Sequence, residues 1–188
     1  MARRVIYIHG FNSSEESFKA QQFGKWLAKQ PIDCEYLTPR LSFDPRIALT
    51  QLVALIEEDT ALIGSSLGGY YATYLSQLYG LKAVVINPAV KPFDLLADYL
   101  GAQYNPYQKI HYELTLAHVD ALEQLYYPRL VQPRLIMLLQ QMGDEVLPYQ
   151  QAVHYFVACE QRIEFAGDHS FVAFQRYFDT IVNFLDIT

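Results

Sequence analysis

The sequence predicts an α/β fold: a reduced, mostly parallel sheet of about six strands with helices on both faces. Three observations carry that expectation. Short apolar runs alternate with longer stretches of helical period. The runs are continuously apolar, as strands buried on both faces must be. Glycine, proline and asparagine punctuate the boundaries.

Val5-Ile6-Tyr7-Ile8 is the first apolar run, and it stops at Gly10. Ser14–Lys29 is predicted as a helix, with Phe18, Phe23, Trp26 and Leu27 at helical spacing. Cys34–Leu37 reads as a second strand, closed by Pro39. Pro45 suits the first position of a helix predicted to run to Glu58. Ala61–Ile63 is predicted as a short buried strand, and Ser66–Tyr79 as a helix ended by Gly80. Ala83–Ile86 is a strand-like run stopped by Asn87-Pro88. Leu135–Leu139 is another, broken at Gly143-Asp144. Pro148–Cys159 is expected to be helical, Arg162–Phe165 to be the last strand, and Phe171–Leu185 the last helix. That helix carries Phe174, Phe178, Ile181 and Leu185 along one stripe.

Between Pro88 and Pro133 the rhythm breaks. No strand is obvious there, and tyrosines stand at 99, 104, 107, 112, 126 and 127. The stretch reads as a small helical, cap-like insertion at about 88–133, over one end of the sheet, within a single domain spanning 1–188. Phe93, Leu96, Tyr99 and Tyr104 are its candidates for lining a substrate pocket. Packing inside the insertion explains them almost as well.

Composition narrows the function classes. The 188 residues are 52% hydrophobic and 18% charged, which suits a packed core and not a disordered chain. A net charge of −6 argues against general nucleic-acid binding, which needs a basic surface. No run approaches membrane-spanning length, and the apolar run before His9 is too short for a signal peptide. Cys34 and Cys159 lie far apart in the sequence and form no metal spacing. They suit a reducing, cytoplasmic setting.

The segment from Ala61 to Tyr70 carries the chemistry. Gly64-Ser65-Ser66-Leu67-Gly68 is a G-x-S-x-G pattern between a predicted strand and a predicted helix. A serine on so tight a turn is strained, and its hydroxyl stands above the sheet. Residues two before and two after approach each other, so both must be small. Ser65 is the lesser alternative, because the glycines centre on Ser66. A phosphate-cradling loop fits poorly, since neither G-K-[ST] nor G-x-G-x-x-G is present.

A serine hydroxyl needs a base, and histidine is the natural one near neutral pH. Of His9, His111, His118, His154 and His169, the last follows the final predicted strand, at the carboxyl edge of the sheet. An imidazole in this role needs a carboxylate to fix its tautomer. Asp144 follows the strand Leu135–Leu139 at the same edge and gives the chain order Ser, Asp, His of the α/β-hydrolase fold. Glu145 is expected to face solvent, and Asp168 adjoins His169 too closely for an in-line bond. The backbone amides of Phe11, after the first strand, and Leu67, after the serine, are the candidate oxyanion donors. His9 sits where this loop forms, and a structural role is expected for it.

These residues resemble a known family. His9-Gly10-Phe11-Asn12-Ser13-Ser14, Gly64 to Thr73, Asn87-Pro88-Ala89-Val90, Gly143-Asp144-Glu145-Val146-Leu147 and His169-Ser170-Phe171 look like the small bacterial YqiA-type esterases, over nearly the whole chain. The loop reads Gly-Asp-His-Ser where that group often has Gly-Asn-His-Ala. The resemblance implies a cytoplasmic, cofactor-free esterase, and the triad read from the residues suits an esterase or thioesterase that needs no metal. It implies Ser66 as nucleophile, Asp144 as acid, His169 as base and Phe11 and Leu67 as oxyanion donors. The expected partner is a small-molecule acyl ester or thioester of short to medium chain. Two rivals share the sequence signals: a binding protein that keeps the fold without turnover, and an acyltransferase or perhydrolase using the same site.

Overall fold

The computed structural model describes residues 2–187. Strands and helices alternate along the chain: β1 (Arg4–Ile8), α1 (Phe18–Leu27), β2 (Glu35–Leu37), α2 (Pro45–Val53), β3 (Thr60–Ser65), α3 (Leu67–Tyr79) and β4 (Ala83–Ile86). The insertion follows, with α4 (Pro92–Leu96), β5 (Gly101–Asn105), β6 (Ile110–Leu114) and α5 (Leu116–Glu123). The chain then completes the sheet with β7 (Ile136–Gln141), α6 (Tyr149–Tyr155), β8 (Glu160–Glu164) and α7 (Phe178–Leu185).

Six strands form one sheet in the order β2-β1-β3-β4-β7-β8, and every neighbouring pair is parallel. The apolar runs explain why. Side chains alternate between the faces of a strand. Val5, Tyr7, Ala61, Ile63, Val84, Ile86, Met137 and Leu139 pack on one face, under α1 and α7. Ile6, Ile8, Leu62, Ala83, Val85, Ile136 and Leu138 pack on the other, under α2, α3, the insertion and α6. With both faces covered, neither set of alternate positions is polar. From β1 the chain steps to β2 on one side, and from the adjacent β3 it steps to β4 on the other. The loops after β1 and β3 therefore open a crevice at the carboxyl edge, where α/β sheets bind ligands.

Local chemistry sets the helix ends. Asp44 caps α2, its carboxylate accepting from the Arg46 amide at 2.9 Å, with Pro45 at the first helical position. Gly80 ends α3 with φ of 70°. The last helix starts later than the stripe predicts. Phe171 and Ala173 have φ of 63° and 57°, so a helix cannot pass through them. Phe174–Tyr177 forms a short 3₁₀ turn, and α7 begins at Phe178. The four predicted stripe residues are all buried.

The insertion departs from the all-helical expectation. Its centre is an antiparallel hairpin, β5 against β6, with Gly101 opposite Leu114 and Asn105 opposite Ile110. The turn between them carries Lys109 at φ of 57°. Helices α4 and α5 flank the hairpin. No helix among the described residues is long and apolar enough to cross a membrane.

Phe178 is the centre of the aromatic packing beneath α7. Its ring meets Phe23 at 5.2 Å and Phe174 at 5.1 Å edge-on, and Trp26 at 5.2 Å. It is 3% exposed. Phe178→Ala is expected to cost about 3–5 kcal/mol, by lost burial and the cavity left behind. Urea unfolding followed by circular dichroism measures it. A loss under about 1 kcal/mol would mean that the face can collapse around the gap.

Candidate active site

Ser66 is the residue between β3 and α3, with φ of 54° and ψ of −121°. That backbone is costly for any residue with a Cβ. It is forced by the close crossing of α3 over the sheet. A Cβ on Gly64 would overlap the Gly68 carbonyl, and one on Gly68 would overlap the Ile8 carbonyl of the neighbouring strand. The glycine spacing seen in the sequence is therefore a steric requirement.

The Ser66 hydroxyl lies 3.2 Å from Nε2 of His169. Nδ1 of His169 lies 2.9 Å from both carboxylate oxygens of Asp144. The Asp144 side chain is fully buried, and the His169 side chain is 23% exposed. Oδ1 of Asp144 also accepts from the amides of Val146 at 2.9 Å and Leu147 at 2.8 Å. The carboxylate is thus aimed by its own loop. The structure brings Ser66, His169 and Asp144 into one hydrogen-bonded chain.

Residues that the sequence reading gave no role hold the His169 loop. Asn87 is 1% exposed, with φ of 40°. Its Nδ2 donates to the carbonyls of Asp168 at 2.9 Å and His169 at 3.2 Å, while its Oδ1 accepts from the Gln141 amide at 2.9 Å. Gln141 grips the far side of the loop. Its Oε1 accepts from Val172 at 2.8 Å and Asp168 at 3.2 Å, and its Nε2 donates to the Val172 carbonyl at 2.9 Å. Glu145 is exposed, as expected, yet its Oε2 accepts the His169 amide at 3.0 Å. Asp168 accepts from the Ser170 hydroxyl and does not reach the imidazole.

The loop after β1 lies across from the serine. A Cβ on Gly10 would come within 3.1 Å of the Ser66 Cβ. The amides of Phe11 and Leu67 donate to no protein acceptor among the described residues, as oxyanion donors require. His9 fixes this loop instead of entering the chain of polar groups. Its Nδ1–H donates to the Gly10 carbonyl at 3.0 Å, and its Nε2 accepts from the Leu41 amide at 3.4 Å. The insertion hairpin grips the same loop. The Tyr112 hydroxyl donates to Oδ1 of Asn12 at 2.7 Å, and Nδ2 of Asn105 donates to the Ser13 carbonyl at 2.9 Å.

A cavity of about 680 Å³ opens beside Ser66 and His169. Phe11, Phe18, Tyr107, Phe171 and Phe174 give it aromatic walls. The four insertion residues expected to line it do not. Phe93 and Leu96 are buried in the core on the α3 side, and Tyr99 and Tyr104 are about half exposed on the surface. Packing within the insertion accounts for the first pair. The insertion instead contributes Tyr107, from the hairpin turn. His118 is buried near Asp44, and His111 packs against Tyr104, both away from the cavity. Among the described residues no group of three or more His, Cys, Asp or Glu side chains is placed to hold a metal ion.

The parallel sheet, the serine on its strand-to-helix turn and the chain order Ser, Asp, His define an α/β-hydrolase fold. Solved structures agree on the fold. The mouse alpha/beta hydrolase domain-containing protein 10 superposes with a TM-score of 0.67 at 16% identity, covering 99% of this chain and 90% of its own. A structure from the metagenome-derived lipolytic enzymes LipS and LipT gives 0.67 at 17% identity, covering 98% and 94%. The chain belongs to the uncharacterised protein family UPF0227, whose model matches residues 4–186. A UPF0227 protein of Shewanella woodyi is 32% identical over 98 residues, 48% of this chain and 53% of that protein. The chain thus spans about half the length of that relative.

Burial of His9 lowers its pKa from 6.5, and the neutral ring is the form that both donates to Gly10 and accepts from Leu41. Above pH 6.5 the ring is neutral folded or unfolded, and its bonds contribute fully. As pH falls below 6.5, the unfolded chain takes up a proton that the folded protein resists, so stability declines. His9→Asn is expected to be less stable at neutral pH and to show a shallower loss on acidification. Urea midpoints between about pH 7.5 and 5 for both proteins test this. Parallel curves would contradict it.

Proposed function

We propose that the protein is a serine hydrolase of carboxylic esters or acyl thioesters with short to medium acyl chains. The observation that carries this reading is the chain Asp144–His169–Ser66, ending at a serine on a strained turn. Nε2 of His169 takes the Ser66 proton as Oγ attacks the acyl carbonyl. The imidazolium that forms is stabilised by the buried Asp144 carboxylate. The Phe11 and Leu67 amides receive the oxyanion. The leaving alcohol or thiol takes the proton from His169, and an acyl-Ser66 ester remains. Water, deprotonated by His169, then hydrolyses it.

The aromatic walls beside Ser66 suit an acyl or aryl group, and the lipolytic enzymes of the same fold lend the ester reading support. A cytoplasmic setting belongs to the same proposal. Cys34 and Cys159 are free thiols whose pKa values burial raises to about 11 and about 12. Such thiols stay protonated and unreactive.

A fluorophosphonate probe is expected to label one serine. Ser66→Ala should abolish labelling and turnover, while Ser65→Ala should keep both. Asp144→Asn should lower kcat at least about a hundredfold with the fold intact, since the imidazole loses tautomer control and charge stabilisation. Labelling that persists in Ser66→Ala removes the reading. A cavity of about 680 Å³ should also favour butyrate esters over emulsified long-chain fat. Faster cleavage of the fat contradicts the chain-length part alone.

A further inference from the structure

The first turn of α1 breaks the usual rules for a helix start. Ser17 stands at the N-cap, yet its side chain caps nothing. Its hydroxyl oxygen is buried and has no hydrogen-bond partner. No acidic residue occupies the first turn. A lysine stands there instead, where the helix dipole disfavours a cation. The amides of Phe18 and Lys19 donate to no protein acceptor among the described residues.

The residues that carry these groups lie together. Ser17, Phe18 and Lys19 line the cavity that contains Ser66 and His169. The Lys19 ammonium donates to the Ser170 carbonyl at 2.9 Å and forms no ion pair among the described residues. That bond uses one of its three protons. Burial lowers its pKa, and the field of Asp168 and Asp144 opposes that shift without either carboxylate bonding to it. The carboxylates on the cavity wall are Glu16 and Glu145, both exposed, and Glu145 is engaged with the His169 amide. A half-buried cation with no carboxylate partner, two orphan amides and an unpartnered hydroxyl make a set of donors short of acceptors. Helix N-termini with such donors bind anions.

Building on the ester-hydrolase reading, we propose that the first turn of α1, with Lys19 and Ser17, is a subsite for an anionic group of the substrate. The anion is a carboxylate or phosphate carried on the ester, on the acyl side or the leaving side. It docks on Lys19 and the helix start while the acyl carbonyl reaches Ser66. A local rule broken at a functional position is then completed by the ligand.

Paired substrates test this. One pair is 4-nitrophenyl hemisuccinate against 4-nitrophenyl butyrate. The other is the butyryl ester of 3-hydroxybenzoate against that of methyl 3-hydroxybenzoate. In at least one pair the anionic member should lead in kcat/KM by about tenfold or more, the worth of one charge-assisted bond. Lys19→Met should erase that preference, mainly through KM, and Lys19→Arg should keep most of it. Titration calorimetry with succinate and with phenyl phosphate should show binding to the native protein that Lys19→Met loses. Neutral esters preferred in both pairs, with no anion bound, would overturn the subsite. So would an unchanged ratio in Lys19→Met with both members slowed, because Lys19 would then act only through the Ser170 carbonyl. Anion binding without turnover of any ester would keep the subsite and sink the hydrolase reading instead.

Discussion

The carboxyl edge of this protein depends on how closely the start of α3 crosses β3 and β1. Backbone touches backbone there, with no room for a Cβ on Gly64 or Gly68. The crossing leaves Ser66 no ordinary conformation, at a cost of order 1–3 kcal/mol. The residue is pinned from both ends. Its amide donates to the Ile86 carbonyl at 3.1 Å, and its carbonyl accepts from Gly69 at 3.0 Å and Ala89 at 3.1 Å. The strain is thus carried by β4 and α3 together, and the hydroxyl is held where His169 meets it.

Around that point the loops are tied by neutral amides. Asn87 and Gln141 sit at the ends of β4 and β7 and hold five backbone groups of the His169 loop between them. The loop includes Ala166, Gly167, Phe171 and Ala173 in left-handed conformations, so it has little regular structure of its own. Its shape comes chiefly from those two side chains, with Glu145 holding the His169 amide and Lys19 the Ser170 carbonyl. On the opposite side the hairpin ties down Asn12 and Ser13. The His169 loop and the loop after β1 are therefore each positioned by residues remote in sequence.

Where a pattern rests on local sterics, the sequence was legible. The six strands of the main sheet, the serine turn between β3 and α3 and the Ser, Asp, His order all follow from short-range spacing and the carboxyl-edge rule. The hairpin was not. Its turn, Pro106 to Lys109, lacks the Asn-Gly type of signal, and Lys109 takes the left-handed position that glycine usually fills. Its strands are poor in β-branched residues and belong to no larger sheet. The cavity wall was misread for a related reason. Phe93 and Leu96 look the same in sequence whether they face a ligand or the core. The roles of Asn87 and Gln141 depend on tertiary contacts that no spacing announces.

Asn87 also has a chemical consequence over the lifetime of the protein. Its side chain must stay an amide, since a carboxylate there would face the Asp168 and His169 carbonyls with nothing to donate. Asparagine commonly ages to aspartate when the next backbone nitrogen attacks the side-chain carbonyl and closes a five-membered ring. The next residue is Pro88, whose nitrogen carries no proton and is already within a ring. The asparagine that can least tolerate hydrolysis is therefore followed by the residue least able to start it.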